Sequence, residues 1–170
     1  IVGEGTVTHA GITTQTVTAN ITETSAGTSA LVIADTVDLL AGPVITFSGT
    51  IAVDAITIGA TAKPGSGKFT GSTTAAATVH GGNASGENSL MDMNDATHTG
   101  TVELTQAGSG TAVFQLSGTT AEVVGAITAT SDGDGGIVMM MTMMMMRLIV
   151  RLLRAMITMR MLLTTTHSEC

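Results

Sequence analysis

Through residues 1–136 the chain never holds one pattern for long. Segments of three to ten residues, rich in Thr, Val and Ile, are cut off by clusters of Gly, Ser and Asn. β-Branched side chains are stiff at χ1 and suit a pleated, half-buried surface. Gly, Ser and Asn favour turns. A chain punctuated this often cannot build long helices here. It reads as an all-β protein, a Thr/Gly-rich sandwich, barrel or solenoid of short strands.

The expected strands are 6–8, 15–22, 29–33, 44–47, 50–58, 68–72, 75–80 and 121–130. The clearest local unit is a hairpin. Val102 and Leu104 alternate in Thr101–Gln106, Ala107-Gly108-Ser109-Gly110 forms a turn, and Ala112, Phe114 and Leu116 alternate on the return strand. In Thr50–Ile58 the apolar parity shifts between Val53 and Ile56, which predicts a bulge near Asp54. Leu31–Leu40 reads alternatively as a short helix. A weak echo links Ser48-Gly49-Thr50 to Ser117-Gly118-Thr119, with 7 identities in 15 positions at an offset of 69. Asp92, Asn94 and Asp95 read as an oxygen cluster in a loop, a candidate for calcium.

At residue 137 the composition changes, which divides the chain into a β-rich module, 1–136, and a Met/Arg-rich tail, 137–170. Ile137–Leu163 holds 10 of the 12 Met and four of the six basic residues. Two readings stand. Taken literally, the segment is a helix with Arg147, Arg151 and Arg154 on one face and Met, Leu and Ile on the other. Such a basic amphipathic helix, 137–163, suits a membrane surface or a partner groove better than a membrane span. The second reading starts from the single Met codon, ATG. One base out of register, a Met-Met pair reads GAT and a Met-Thr pair reads GAC, both Asp. The Met139–Met146 run is then what an aspartate-rich stretch looks like in the wrong frame. It comes directly after the acidic Asp132-Gly133-Asp134-Gly135-Gly136.

Charge and composition exclude several functions. Residues 1–136 hold two Lys against 12 acids, a net of −10, so a phosphate backbone finds no partner. Aromatics are 2 %, too few for base-stacking platforms or for most carbohydrate subsites. The single Cys, at position 170, excludes an internal disulfide and a Cys-rich zinc site. The Ile-Val-Gly start suggests a processed, trimmed or partial chain. It matches an activated trypsin-like protease, but the chain contains no Gly-Asp-Ser-Gly-Gly motif.

The remaining candidates concern ions and phosphates. Asp132 and Asp134 place carboxylates on alternate positions with Gly between, the pattern of a calcium loop. The third ligand and the later Glu of an EF-type loop are missing, and a flexible acidic linker is the plainer reading. Lys63-Pro64-Gly65-Ser66-Gly67-Lys68 has the look of a phosphate loop, but Ala62 and Phe69 stand where Gly and Ser or Thr belong, so it reads as a turn. His9, His80, His98 and His167 lack ligand spacing. The consecutive Met residues point around a whole helix and cannot converge on one soft metal ion. No nucleophile with an activating partner is legible, so a non-enzymatic chain is expected.

The strands, the Ser-Gly-Thr echo and the Asp-Gly tract of residues 1–136 resemble the Thr/Gly/Ala-rich β-modules of large bacterial surface proteins and adhesins, and those of phage tail fibres. The resemblance implies an extracellular or cell-surface protein with a structural or adhesive role, stabilised by calcium. Thr-rich edge strands make self-association expected. The alternatives are membrane or partner docking through residues 137–163 and a carbohydrate-active β-solenoid.

Overall fold

A computed structural model describes residues 2–9, 14–23, 28–34, 45–60, 63–84, 87–131 and 136–141. The chain divides into two units, 1–140 and 141–170. The described strands begin, in chain order, with β1 (Gly5–His9), β2 (Gln15–Val17), β3 (Ile21–Thr22), β4 (Ser29–Ile33), β5 (Ile45–Phe47), β6 (Ile51–Ile58), β7 (Ser66–Phe69) and β8 (Thr73–Gly81). Then come β9 (Ser89–Asn94), β10 (Thr97–Thr99), β11 (Val102–Gln106), β12 (Ala112–Ser117), β13 (Glu122–Val124), β14 (Ile127–Ser131) and β15 (Ile137–Met141).

These strands build two sheets between which the chain alternates. Sheet A stacks β1, β4, β6 and β8, then the broken rungs β10–β11 and β13–β14, with the short β3 beside β6. Sheet B runs β2-β5-β7-β9-β12-β15. The ladders are parallel, and partners lie 21–30 residues apart in sequence. The architecture is a parallel β-solenoid, and of the expected all-β forms it is the solenoid that is realised.

The core consists of columns, because parallel in-register stacking places equivalent residues above one another. In sheet A, Leu31, Ile56, Ala77 and Val102 form one buried column, and Ile33, Ile58, Val79 and Leu104 a second. In sheet B, Phe47, Phe69, Met93 and Leu116 form a third. Burial of these faces supplies the main driving force. The offset-69 echo now has a cause. Phe47 pairs with Phe69, Phe69 with Met93 and Met93 with Leu116, so the two Ser-Gly-Thr corners lie three rungs apart.

The expected bulge is present: the β6–β8 register shifts between Ala52 and Ala55. There Asp54 accepts the Ser29 amide at 2.9 Å, and its own amide donates to Ser29 Oγ at 3.2 Å. Leu31 and Ile33 lie in strand β4, so the helical alternative fails for Leu31–Ile33, while 35–40 lies outside the described residues.

Three expectations are corrected. The hairpin does not form. β11 pairs with β8 and β14 in sheet A, whereas β12 pairs with β9 in sheet B. The turn between them bonds to the corner below rather than across itself, with the Ser109 amide on the Asn83 carbonyl (3.0 Å) and the Gly110 amide on the Gly82 carbonyl (2.9 Å). Asp92 and Asn94, expected in a loop, lie in strand β9, in which Ser89, Met91 and Met93 face the core and Leu90 and Asn94 face outward. The expected helix does not begin at residue 137. Ile137–Met141 is a strand on the edge of β12, and the Ala112 amide donates to the Gly136 carbonyl at 3.1 Å. A backbone edge with unmet hydrogen bonds overrides local helix propensity. Residues 142–163 lie outside the described residues.

A rung is therefore a removable unit. Gly67 is in register with Met91, so excising residues 67–90 joins Ser66 to Met91 and preserves the order of the two sheets. The shortened chain is expected to keep a β-sheet circular dichroism spectrum and a cooperative melt, as repeat architectures do. Excising only 67–78 puts a sheet A strand in a sheet B place and should abolish the melt. Equal behaviour of the two deletions would contradict the rung assignment.

Candidate functional site

The outward face of sheet A is a regular surface built by stacked strands. Period two turns alternate residues outward, and register aligns them. One column is Thr8, Val32, Thr57, Thr78, Glu103 and Thr128. Another is Ala52, Thr74, Thr99 and Val124. Hydroxyls and methyl groups thus repeat along the rungs with few charges. His80 completes a third column with Thr105 and Thr130. Its Nδ1 lies 2.5 Å from Thr105 Oγ1. Burial lowers the imidazole pKa, and nearby Glu103 opposes this. Sequence pattern places these Thr residues on strands, Thr74 and Thr99 excepted, but not in columns.

His98 faces the other way, into the core, and is fully buried. Its Nδ1 lies 2.7 Å from Thr73 Oγ1, and its Nε2 lies 3.5 Å from the Thr101 carbonyl. A carbonyl only accepts, so Nε2 carries the proton and Nδ1 accepts from Thr73. Burial is the main cause that lowers the His98 pKa, and the Thr101 carbonyl acts against it. The folded pKa lies below the unfolded value of 6.5. The unfolded chain therefore binds more protons once pH falls below that value, and stability drops. His80 acts in the same direction. Urea midpoints are expected to fall between pH 7 and pH 5, less steeply in His98→Gln. Identical slopes in the two proteins would contradict this.

The polar cluster of Asp92, Asn94 and Asp95 is held in a corner of the solenoid. Ser117 Oγ donates to Asp92 at 2.5 Å, and Asn94 Nδ2 donates to Ser117 Oγ at 2.9 Å. Burial raises the Asp92 pKa, while the Ser117 hydrogen bond and the charge of Lys68, its partner across the rung, pull it back. Asp95 adopts a left-handed backbone, φ 53°, which Asp tolerates. Its carboxylate accepts the Thr119 and Thr120 amides at 2.5 and 3.0 Å, which holds its pKa below the usual range. These oxygens bind the next rung's corner, and the carboxylate lies where a side chain on Gly118 would go.

Asp132 and Asp134, the expected calcium ligands, lie outside the described residues. Among the described residues no group of three His, Cys, Asp or Glu side chains is placed to hold a metal ion. Lys63 to Lys68 forms no phosphate cradle: Ser66–Phe69 is strand β7, and the Gly65 amide donates to Ser89 Oγ at 3.1 Å. A groove of about 450 Å3 on sheet B is lined by Leu90, Val113, Val138 and Met140 together with Asn88, Thr111 and Gln115. No helix among the described residues is long and apolar enough to cross a membrane. Comparison with known protein families, curated proteins and solved structures finds no match to this chain.

Proposed function

We propose that the chain is a non-enzymatic structural or adhesion module of a secreted or cell-surface protein, of the kind found in adhesins and tail fibres. The observation that carries this reading is the outward face of sheet A, where Thr57 and Thr78 stand on adjacent rungs of a solenoid scaffold and Thr128 follows beyond Glu103. Stacked rungs give a surface that repeats with the stack, which suits contact with another repetitive surface. Calcium held through Asp132 and Asp134 is proposed as a stabiliser of the module's C-terminal side.

The test pairs two substitutions that keep the fold. Thr57→Lys with Thr78→Glu puts opposite charges on adjacent rungs, which a sheet tolerates. The purified chain is expected to be retained on glycan-coated or matrix-protein-coated surfaces, and the double variant to lose at least about tenfold of that retention, a change of about 1.4 kcal/mol. Equal retention removes sheet A as the adhesive face. A melting temperature that is the same in excess calcium and in chelator removes the calcium element.

A further inference from the structure

One inner column of sheet A runs Ile21, Ile51, Thr73, His98 and Val123. A polar pair thus interrupts a line of apolar side chains, and both of its members are buried. The neutral ring is satisfied there, because Nδ1 accepts from Thr73 Oγ1 and Nε2 faces the Thr101 carbonyl. A proton on Nδ1 adds a charge and a second N–H donor, and Thr73 then has to turn its own hydroxyl proton away. Among the described residues no carboxylate faces the ring to balance that charge. On β8, His80 lies on the outward face of sheet A, and Glu103 of β11 and Glu122 of β13 are exposed. Asp95, in the corner before β10, is committed to the Thr119 and Thr120 amides. Asp92 of β9 accepts from Ser117 on the outside of sheet B, and β12 and β14 carry no titratable side chain.

The strand that holds His98 is weakly anchored. β10 meets β8 through two residue pairs, whereas β11 meets β8 through five. Among the described strands β13 pairs with β10 alone. The Gly100 amide bonds to the Val124 carbonyl at 3.0 Å and the Glu122 amide to the Ala96 carbonyl at 3.1 Å, so the two short strands form one limb. His98 and Val123 are its inward side chains on these strands, which is little apolar area to hold it. The limb ends at Gly100 and Gly125, both at positive φ, with Gly125 stacked on Gly100. Two stacked glycines are suited to absorb a rotation of the backbone.

We propose that the β10–β13 limb is an acid-operated latch: protonation of His98 releases both strands from β8, while the β8–β11–β14 ladder and the earlier rungs stay folded. A buried charge without a partner is costly, and water reaches this ring once β10 leaves β8. The opening stays local because stacked rungs touch only their neighbours, and the least anchored segments open first.

Hydrogen exchange of the full chain at pH 7 and pH 5 tests this, with rates corrected for the intrinsic pH dependence of amide exchange. The Gly100 and Glu122 amides report the limb, and the Gly59 amide and those of β11 report the remainder. A single group that titrates at 6.5 once released shifts the opening by at most about 25-fold between these pH values. Limb protection is therefore expected to fall about 5- to 25-fold. At pH 5, limb exchange should not accelerate in urea below the unfolding transition, the mark of a local opening, whereas exchange in β11 should. His98→Gln should abolish the fall in limb protection, and His80→Gln should leave it in place. If His98→Gln does not fold, the urea dependence in the unmodified chain and the His80→Gln variant decide. Limb protection that is equal at the two pH values overturns the proposal. So does limb exchange that follows urea as steeply as β11, because the limb then opens only with the whole fold. A fall that persists in folded His98→Gln, or one that His80→Gln removes, overturns it as well.

Discussion

Replacing Phe69 with alanine is expected to cost about 3–5 kcal/mol of folding stability. Phe69 is fully buried at the centre of sheet B's inner face and is in register with Phe47 on the neighbouring rung. The two rings stack with centroids 5.3 Å apart and planes 14° from parallel. Such pairs add about 0.5–1.5 kcal/mol beyond their buried area. His9 meets the other side of Phe47 edge-on at 6.2 Å, so the loss propagates toward the first rung. The cavity cannot collapse easily, because Gly67 sits beside the ring. A Cβ there would come 3.0 Å from the Phe69 ring and 2.8 Å from Ile33. Only three Phe serve 170 residues, so few other large anchors share the work. Against a typical stability of about 5–15 kcal/mol, the loss brings the variant close to unfolding. Urea unfolding followed by circular dichroism measures it. Phe69→Leu should cost clearly less, and Val138→Ala, on an exposed side chain, close to nothing. A Phe69→Ala cost below about 1 kcal/mol would mean that the Phe stack does not organise the core.

Gly100→Ala is expected to be comparably damaging for a different reason. Gly100 separates β10 from β11, with φ +137°, a conformation that L side chains rarely adopt. An added Cβ would overlap the Ala75 carbonyl oxygen on the rung below. Backbone strain of about 1–3 kcal/mol and a similar cost of overpacking together reach about 2–6 kcal/mol. The Gly100 amide also donates to the Val124 carbonyl at 3.0 Å, so any displacement of this turn is passed to the terminal rung. Gly136→Ala is the control. Its Cβ would meet only Thr111 at 3.5 Å, an ordinary contact, and its effect should stay within about 0.5 kcal/mol. Equal effects at the two glycines would show that the Gly100 corner has room to relax.

Most strands were legible as strands. Thr6–Thr8, Ser29–Ile33, Thr50–Ile58 and Ala75–His80 show their period in the sequence, and the parity slip at Asp54 marks a real bulge. Strand β9 was hidden because Asp92, Asn94 and Asp95 have the composition of a loop. Asp92 is tolerated in the strand because Ser117 and Lys68 partner its carboxylate. The surface candidates were less legible. Each Thr of the sheet A face looks ordinary alone, and becomes part of an array only when Thr57 is set beside Thr78.

What the sequence determined by itself is local. Alternation of Thr, Val and Ile assigns the faces of strands, because side chains on an extended backbone alternate with period two. Gly and Asp at positions such as Gly118 and Asp95 assign corners, because few residues accept a left-handed backbone. Tertiary structure alone decided which strands pair. Val102 lies within fifteen residues of Leu116, yet its ladder partners are Ala77 and Ile127, each 25 residues away. A parallel neighbour requires a long connection, so the local signals that spell a hairpin contain no information about it. The choice falls to burial, since only stacking at that spacing places Ile56, Ala77 and Val102 in one dry column. Ile137–Met141 became a strand for another tertiary reason: the open edge of β12 supplied hydrogen bonds that no local pattern specifies.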